Sequence, residues 1–226
     1  MASEERQRWL PLESNPESFN TWSHSLGLDT SQYSFQDCYG LDAEVLGWVK
    51  QPVKVEWTPH SINSTDSELT TGRFDPQAAI LLFPITEAYE KVRREEDARI
   101  EEDGVEQVAD IIYFKQTIAN ACGTFGLLHA LANAGVPLEP GYLTKLFEQC
   151  KDKTPDLDTR VNLHFCTFVE HKGNLIELDG RRNLPINLGK ISKDLLQDTA
   201  VRVKKIIELS NSLEFNLITL NPTPED

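Results

Sequence analysis

The chain has 226 residues, with 36 acidic side chains against 22 basic ones and a formal net charge of −14. That length can bury a sizeable core and fits one domain over residues 1–226. The charge argues against nucleic-acid phosphates and anionic membranes as partners and favours a basic one.

The start, MASEERQRWLPLE, carries no apolar run and so no secretory signal. The four cysteines at 38, 122, 150 and 166 include no CxxC pair, which predicts a reduced, cytoplasmic protein without a disulfide framework. Residues 15–27 predict a helix, with Phe19, Trp22 and Leu26 at helical spacing and Gly27 as its stop. Asp42 to Val49 predicts a short helix capped by Asp42. Residues 54–77, with Pro59, Gly72 and Pro76, predict a surface loop. The Asn63-Ser64-Thr65 sequon inside it is expected to be accidental, since no signal peptide precedes it.

The apolar run AAILLFPI predicts a buried strand. From Glu87 to Asp103 the chain is densely charged. Glu90, Arg93, Arg94, Asp97 and Arg99 offer opposite-charge pairs three or four residues apart, which predicts a solvated helix ended by Gly104. IIYFKQT (111–117) leads into an apolar helix over 121–134, terminated by Gly135 and Pro137. The surrounding stretch, Thr117 to Leu138, contains Asn120, His129 and Asn133, so it reads as a core helix and not a membrane span. Residues 142–150 predict a short helix. Residues 163–179 predict a hairpin: LHFCTFVE, the turn HKGN, and LIELD. Asp194 to Ser210 predicts an amphipathic helix, and EFNLITL (214–220) a closing strand. Hairpin and long connections together predict an α/β (α+β) fold with a largely antiparallel sheet.

Cys122 falls where an extended segment becomes a helix. A helix N-terminus stabilises a thiolate, the nucleophilic form, and its free N–H groups can hold an oxyanion. The alternative is a buried, inert cysteine. A cysteine nucleophile needs an imidazole and a group to orient it. Of the five histidines, His24 and His60 lie in polar surroundings, and His171 sits in the hairpin turn. His129 lies two helical turns beyond Cys122, roughly 10 Å away, which suits a core histidine better than a base. His164 begins the strand whose hairpin partner ends at Asp179, so antiparallel pairing about Lys172 returns Asp179 to within a residue or two of it. Taken alone, Asp179-Gly180 also reads as a turn start. Gln116, on the approach to the helix, is placed to donate to an oxyanion, or is a solvated amide at a strand end. Cys166 reads as core. A zinc site from His164, Cys166 and His171 lacks the usual ligand pairs, and no Walker, Rossmann or serine-elbow motif is present.

WLPLESNP (9–16), LLFPITEAYEKVR (81–93), KQTIANACGTFGLLHALAN (115–133), LHF (163–165) and ELDGR (177–181) together resemble the signature segments of the ubiquitin C-terminal hydrolases, peptidase family C12. The resemblance implies a papain-like fold: a central antiparallel sheet flanked by helices, with the cysteine-bearing helix buried. It implies Cys122 as nucleophile, His164 as base and then acid, Asp179 as its orienter and Gln116 as an oxyanion donor. It further implies a thiol-dependent hydrolase that cleaves adducts from the C-terminal glycine of ubiquitin, acting as a monomer with no cofactor and no metal. Leu12 and Glu13 would lie near the cleft for the ubiquitin tail. The alternatives are a ubiquitin-binding scaffold and a hydrolase of a related ubiquitin-like modifier. The sequence departs from the family pattern twice. Residues 54–77 look inserted, and the crossover segment before the histidine strand is shortened to 148–163. That predicts a more open cleft that passes larger leaving groups.

Overall fold

A computed structural model describes residues 9–49, 76–102, 108–150 and 163–223. Most of the expected 54–77 loop with its sequon, His60, and most of the short 148–163 link lie outside the described residues. In chain order the elements are α1 (Pro16–Ser25), β1 (Tyr33–Cys38), α2 (Ala43–Val49), β2 (Ala78–Pro84), α3 (Glu87–Glu102), α4 (Cys122–Asn133), α5 (Tyr142–Cys150), β3 (Leu163–His171), β4 (Asn174–Leu178), β5 (Ile186–Lys190), α6 (Leu195–Ser210) and β6 (Asn216–Pro222). No helix among the described residues is long and apolar enough to cross a membrane.

Local chemistry accounts for the helix ends. The Asn15 side chain accepts the Ser18 N–H, and Pro16 opens α1, where a missing N–H costs nothing. Asp194 caps α6 in the same way through the Gln197 N–H. The chain leaves α1 through Gly27 at φ +102°, a conformation open to glycine, and Gly27 O then accepts the Glu139 N–H.

The six strands form one sheet in the order β1-β6-β2-β3-β4-β5, with every pairing antiparallel. Side-chain alternation divides the core between its two faces. Ala78 and Ile80 of β2, with Phe165 and Val169 of β3, pack with Phe19 of α1 and Leu127 and Ala130 of α4. Ala79, Leu81 and Phe83, with Cys166 and Phe168, pack on the opposite face with Leu196, Ala200 and Val203 of α6. Both faces are covered, so β2 and β3 are buried nearly throughout and read as apolar runs.

The expected helices and strands are present, but β1 and β5 add two that periodicity did not predict. β1 has an irregular burial pattern, and β5 is an exposed edge strand with a register shift, so neither alternates. A second correction concerns α3. Its charged residues were expected to face solvent. The pairs Glu90–Arg93 (3.1 Å) and Arg93–Asp97 (2.8 Å) do form along the helix. The same face, however, is turned inward onto Arg181, Arg182 and Arg202 from other elements.

Residues 111–116 belong to no named strand, and α4 supplies the hydrogen bonds of Ile112 and Phe114. Asn133 Oδ1 accepts the Ile112 N–H at 2.8 Å, and its Nδ2 donates to Ile112 O at 2.8 Å. One helical turn earlier, His129 Nε2 accepts the Phe114 N–H at 2.9 Å. The segment leading to Cys122 is thereby held alongside the helix that follows it, running antiparallel to it. Asn133→Ala leaves both polar groups of buried Ile112 unpaired, an expected loss of roughly 1–3 kcal/mol read as a lower urea midpoint with an unchanged slope.

Candidate active site

Cys122 is the first residue of α4. The chain reaches it through Asn120 at φ 63°, a left-handed turn that asparagine tolerates better than most residues. The preceding Ala121 offers no side-chain cap, so the first-turn N–H groups remain available. Glycines let α4 lie close against the sheet. A Cβ on Gly126 would stand 3.4 Å from Thr167 Oγ1, which donates to Gly126 O at 2.8 Å. A Cβ on Gly123 would stand 2.8 Å from Leu12 Cβ and 3.1 Å from the Phe165 ring. The N-terminal segment, tied by the Trp9 N–H to Ala119 O, thus lays Leu12 over the start of α4. Glu13 beside it is exposed.

Strand β4 ends at Leu178, opposite Thr167 of β3. Continuing that register puts Asp179 opposite Cys166, two residues from His164 and on the same face as it. The first residues of β3 have no β4 partner, and there the site assembles. His164 Nε2 meets Asp179 Oδ1 at 2.5 Å, with both side chains buried. The other ring nitrogen is left for Cys122, and the thiol and imidazole couple through a hydrogen bond and through charge. The Arg181 N–H also donates to Asp179 Oδ1, at 2.8 Å. Gln116 lies across the turn. Its N–H donates to Gly180 O at 2.8 Å, and a Cβ on Gly180 would stand 3.1 Å from Gln116 Cβ. Its side-chain amide gives one hydrogen to Ile118 O at 3.0 Å and keeps a second to donate.

The electrostatics favour a charged pair. Burial alone would raise the Cys122 thiol. The hydrogen bond and charge of His164, followed by the backbone N–H groups of Phe165 and Gly123, outweigh burial and hold it below its ordinary value. Burial would likewise discharge His164, yet the charge and hydrogen bond of Asp179, followed by Cys122, push it up to about 9. Asp179 is fully buried. The positive His164, then Arg182 and the Arg181 N–H, hold its carboxyl well below the usual range. Of the other thiols, burial raises Cys38, and burial with Glu177 and Asp179 raises Cys166 well above the ordinary value.

The structure therefore brings Cys122, His164, Asp179 and Gln116 together and sets Leu12 beside them. The other described histidines lie elsewhere. His129 is stacked on Tyr113 (centroids 5.3 Å, 5° between planes), and burial drives it down to about 4, so it stays neutral. His171 bonds Ala109 O on the surface, and His24 belongs to the last turn of α1. A cleft of about 630 Å³ between α3, β5 and α6 contains none of the four assembled residues. Residues that sequence reasoning did not single out also shape the site. The Tyr113 hydroxyl lies 2.6 Å from Asp179 O and 2.7 Å from Arg182 O, pinning the turn that carries Asp179. Buried Arg182 binds Asp97 and Glu96 of α3 at 2.5 and 2.6 Å. Only its place three residues after Asp179 marks it in the sequence. A low-pKa thiol, a carboxylate-oriented imidazole and amide donors around one point are the parts of acyl transfer.

Residues 9–56, 53–162 and 151–208 match the pattern of ubiquitin carboxyl-terminal hydrolase, family 1. The three stretches meet at 53–56 and 151–162, close to the two departures noted above. Ubiquitin carboxyl-terminal hydrolase 3 of Arabidopsis thaliana is 34% identical over 251 residues, covering 97% of this chain and 96% of the relative. That alignment is longer than the 226 residues of the chain, so the relative carries residues this chain lacks. Isozyme L1 of Rattus norvegicus is 34% identical over 229 residues, covering 88% of this chain and 91% of its own. The fold resembles the Trichinella spiralis UCH37 catalytic domain solved with ubiquitin vinyl methyl ester, with a TM-score of 0.64, 21% identity and 95% of each chain covered.

Because Cys122 alone of the three described free thiols is held below its ordinary value, iodoacetamide at pH 7 should label it ahead of Cys38 and Cys166. His164→Ala should slow that labelling by about tenfold or more. Peptide mapping by mass spectrometry reads both outcomes, and equal labelling of the three would contradict the electrostatics.

Proposed function

Since the chain belongs to family 1 of the ubiquitin carboxyl-terminal hydrolases, a family of cysteine peptidases, we propose that it cleaves adducts from the C-terminal glycine of ubiquitin through an acyl-enzyme on Cys122. The observation that carries this reading is the Cys122–His164–Asp179 alignment at the N-terminus of α4. In the proposed reaction the Cys122 thiolate attacks the glycine carbonyl carbon. The Cys122 N–H and the free amide hydrogen of Gln116 stabilise the oxyanion. The His164 imidazolium protonates the departing amine as the C–N bond breaks, leaving a thioester. Neutral His164 then takes a proton from water, hydroxide adds to the thioester, and the thiolate leaves as the imidazolium–thiolate pair re-forms. Asp179 holds the imidazole by Nε2 throughout.

The net charge of −14 supports capture of the arginine-bearing ubiquitin tail. Leu12, packed over Gly123, and the exposed Glu13 are the proposed contacts for that tail. Cys38, Cys122 and Cys166 are free, which supports a reducing, cytoplasmic setting.

With a fluorogenic amide of the ubiquitin C-terminus, Cys122→Ala should abolish turnover while ubiquitin still binds. Gln116→Ala should lower kcat by roughly 100-fold with little change in KM. Ubiquitin binding without turnover by the unaltered chain would replace this reading with a scaffold, and faster turnover of another modifier would change the substrate. If the shortened 148–163 segment opens the cleft, a folded domain fused to ubiquitin should be released at a rate within about tenfold of a short peptide. Retention of the folded domain would refute that part.

A further inference from the structure

A chain of alternating charges runs behind the catalytic pair, and each link is a direct contact. Arg181 meets Glu90 at 2.9 Å, Glu90 meets Arg93 at 3.1 Å, and Arg93 meets Asp97 at 2.8 Å. Asp97 and Glu96 both grip Arg182. Glu96 also binds Arg202 at 3.1 Å, Arg202 binds Glu177 at 2.7 Å, and Glu177 closes the loop onto Arg182 Nε at 3.4 Å. Arg182 is the hub: it touches three carboxylates from two elements, and its side chain is 1% exposed.

The four guanidiniums in this chain balance its four carboxylates. Asp179 is the fifth carboxylate, fastened to the same turn by the Arg181 N–H, and among the described residues the cluster holds no fifth guanidinium to match it. The remaining negative charge meets its counter-ion only if His164 is protonated. A protonated His164 next to Cys122 in turn favours the thiolate. We infer that this ion cluster sets the charge state of the Cys122–His164 pair, and that Arg182 is the positioning residue that holds the cluster and the Asp179 turn together. The inference rests on the proposed roles of Cys122 and His164 and adds a group that no catalytic motif contains.

The other titratable neighbours leave this balance intact. Tyr89 of α3 is raised by burial and by Asp179 and Glu177, and Tyr113 by burial and Asp179, so both stay neutral. Cys166 of β3 stays a thiol and His129 of α4 an uncharged imidazole. The charged groups acting directly on Asp179 or His164 are therefore Cys122 from α4, Arg93 and Asp97 from α3, and Arg182 of the turn, while Glu96 of α3 and Glu177 at the end of β4 act through their contacts with Arg182.

The sign of the effect follows from Coulomb's law. Removing the Arg182 charge adds a net negative charge beside Asp179. The thiolate becomes harder to form and the imidazolium harder to discharge, so both limbs of the pH profile move up. Removing a carboxylate of the cluster moves both down. The test is the pH dependence of Cys122 alkylation by iodoacetamide, which needs no ubiquitin, together with kcat/KM on the fluorogenic ubiquitin amide.

Arg182→Met should move both limbs up by roughly one pH unit, and Arg182→Lys should return them close to their original position. Glu96→Gln, at a partly exposed and screened position, should move them down by about half a unit. If Arg182→Met does not fold, the downward shift in Glu96→Gln decides the matter alone. Limbs that stay fixed, or that move in the same direction in both variants, would reduce the cluster to a structural clamp. A shifted alkylation profile without ubiquitin hydrolysis would uphold this inference and overturn the proposed function instead.

Discussion

A carboxylate with no access to water is among the most costly groups a fold can hold unless it is paired and hydrogen-bonded. Asp179 is such a group, fully buried at the end of β4. His164 at 2.5 Å, the Arg181 N–H and the nearby Arg182 guanidinium keep it ionised, and it keeps His164 charged in return. Much of the surrounding architecture fixes this contact. Tyr113 pins the turn from one side, Gln116 bonds Gly180 from another, and Arg182 fastens it to α3. These supports come from the fold itself, and donors and charges held in place this way lower a barrier by removing reorganisation from the reaction step.

The sheet provides the place for that contact. β3 is longer than its partner β4, so the first residues of β3 extend past the end of the ladder. Backbone groups that a longer β4 would have paired are free to face the incoming α4, and the Phe165 N–H supports the Cys122 sulfur. Gly123 and Gly126 let the helix approach closely enough for the thiol to reach His164. His129 and Asn133, one turn apart on α4, hold residues 112–114 where another strand would otherwise be needed. Both side chains are polar residues in an apolar helix, and their hydrogen bonds to backbone, through both ends of the Asn133 amide and through His129 Nε2, help make their burial tolerable.

Much of the arrangement around Cys122 was legible in the sequence because it depends on local order. A cysteine at a helix start, and a hairpin with histidine at one end and aspartate at the other, are patterns of a few residues. The turn at Lys172–Gly173 fixes the register, and register carries His164 and Asp179 to the same face. The helices read correctly for the same reason, since caps and periodicity are near-neighbour effects. The charged run in α3 misled because charge density predicts solvation only when no opposite charge is packed against it. Arg182 and Arg202, 85 or more residues away in sequence, supply that charge. β1 and β5 escaped because pairing, not side-chain alternation, makes them strands.

The sequence by itself determined the family, the helix that carries Cys122 and the hairpin that carries His164 and Asp179. These follow from contacts between residues close in the chain or joined by one tight turn. Only the tertiary structure decided that α4 docks at the start of β3 where β4 gives it no partner, that Leu12 lies over Gly123, and that α3 and α6 close an alternating ring of charge around Arg182. Those outcomes depend on which distant surfaces meet, and burial then turns ordinary surface charges into strongly coupled ones.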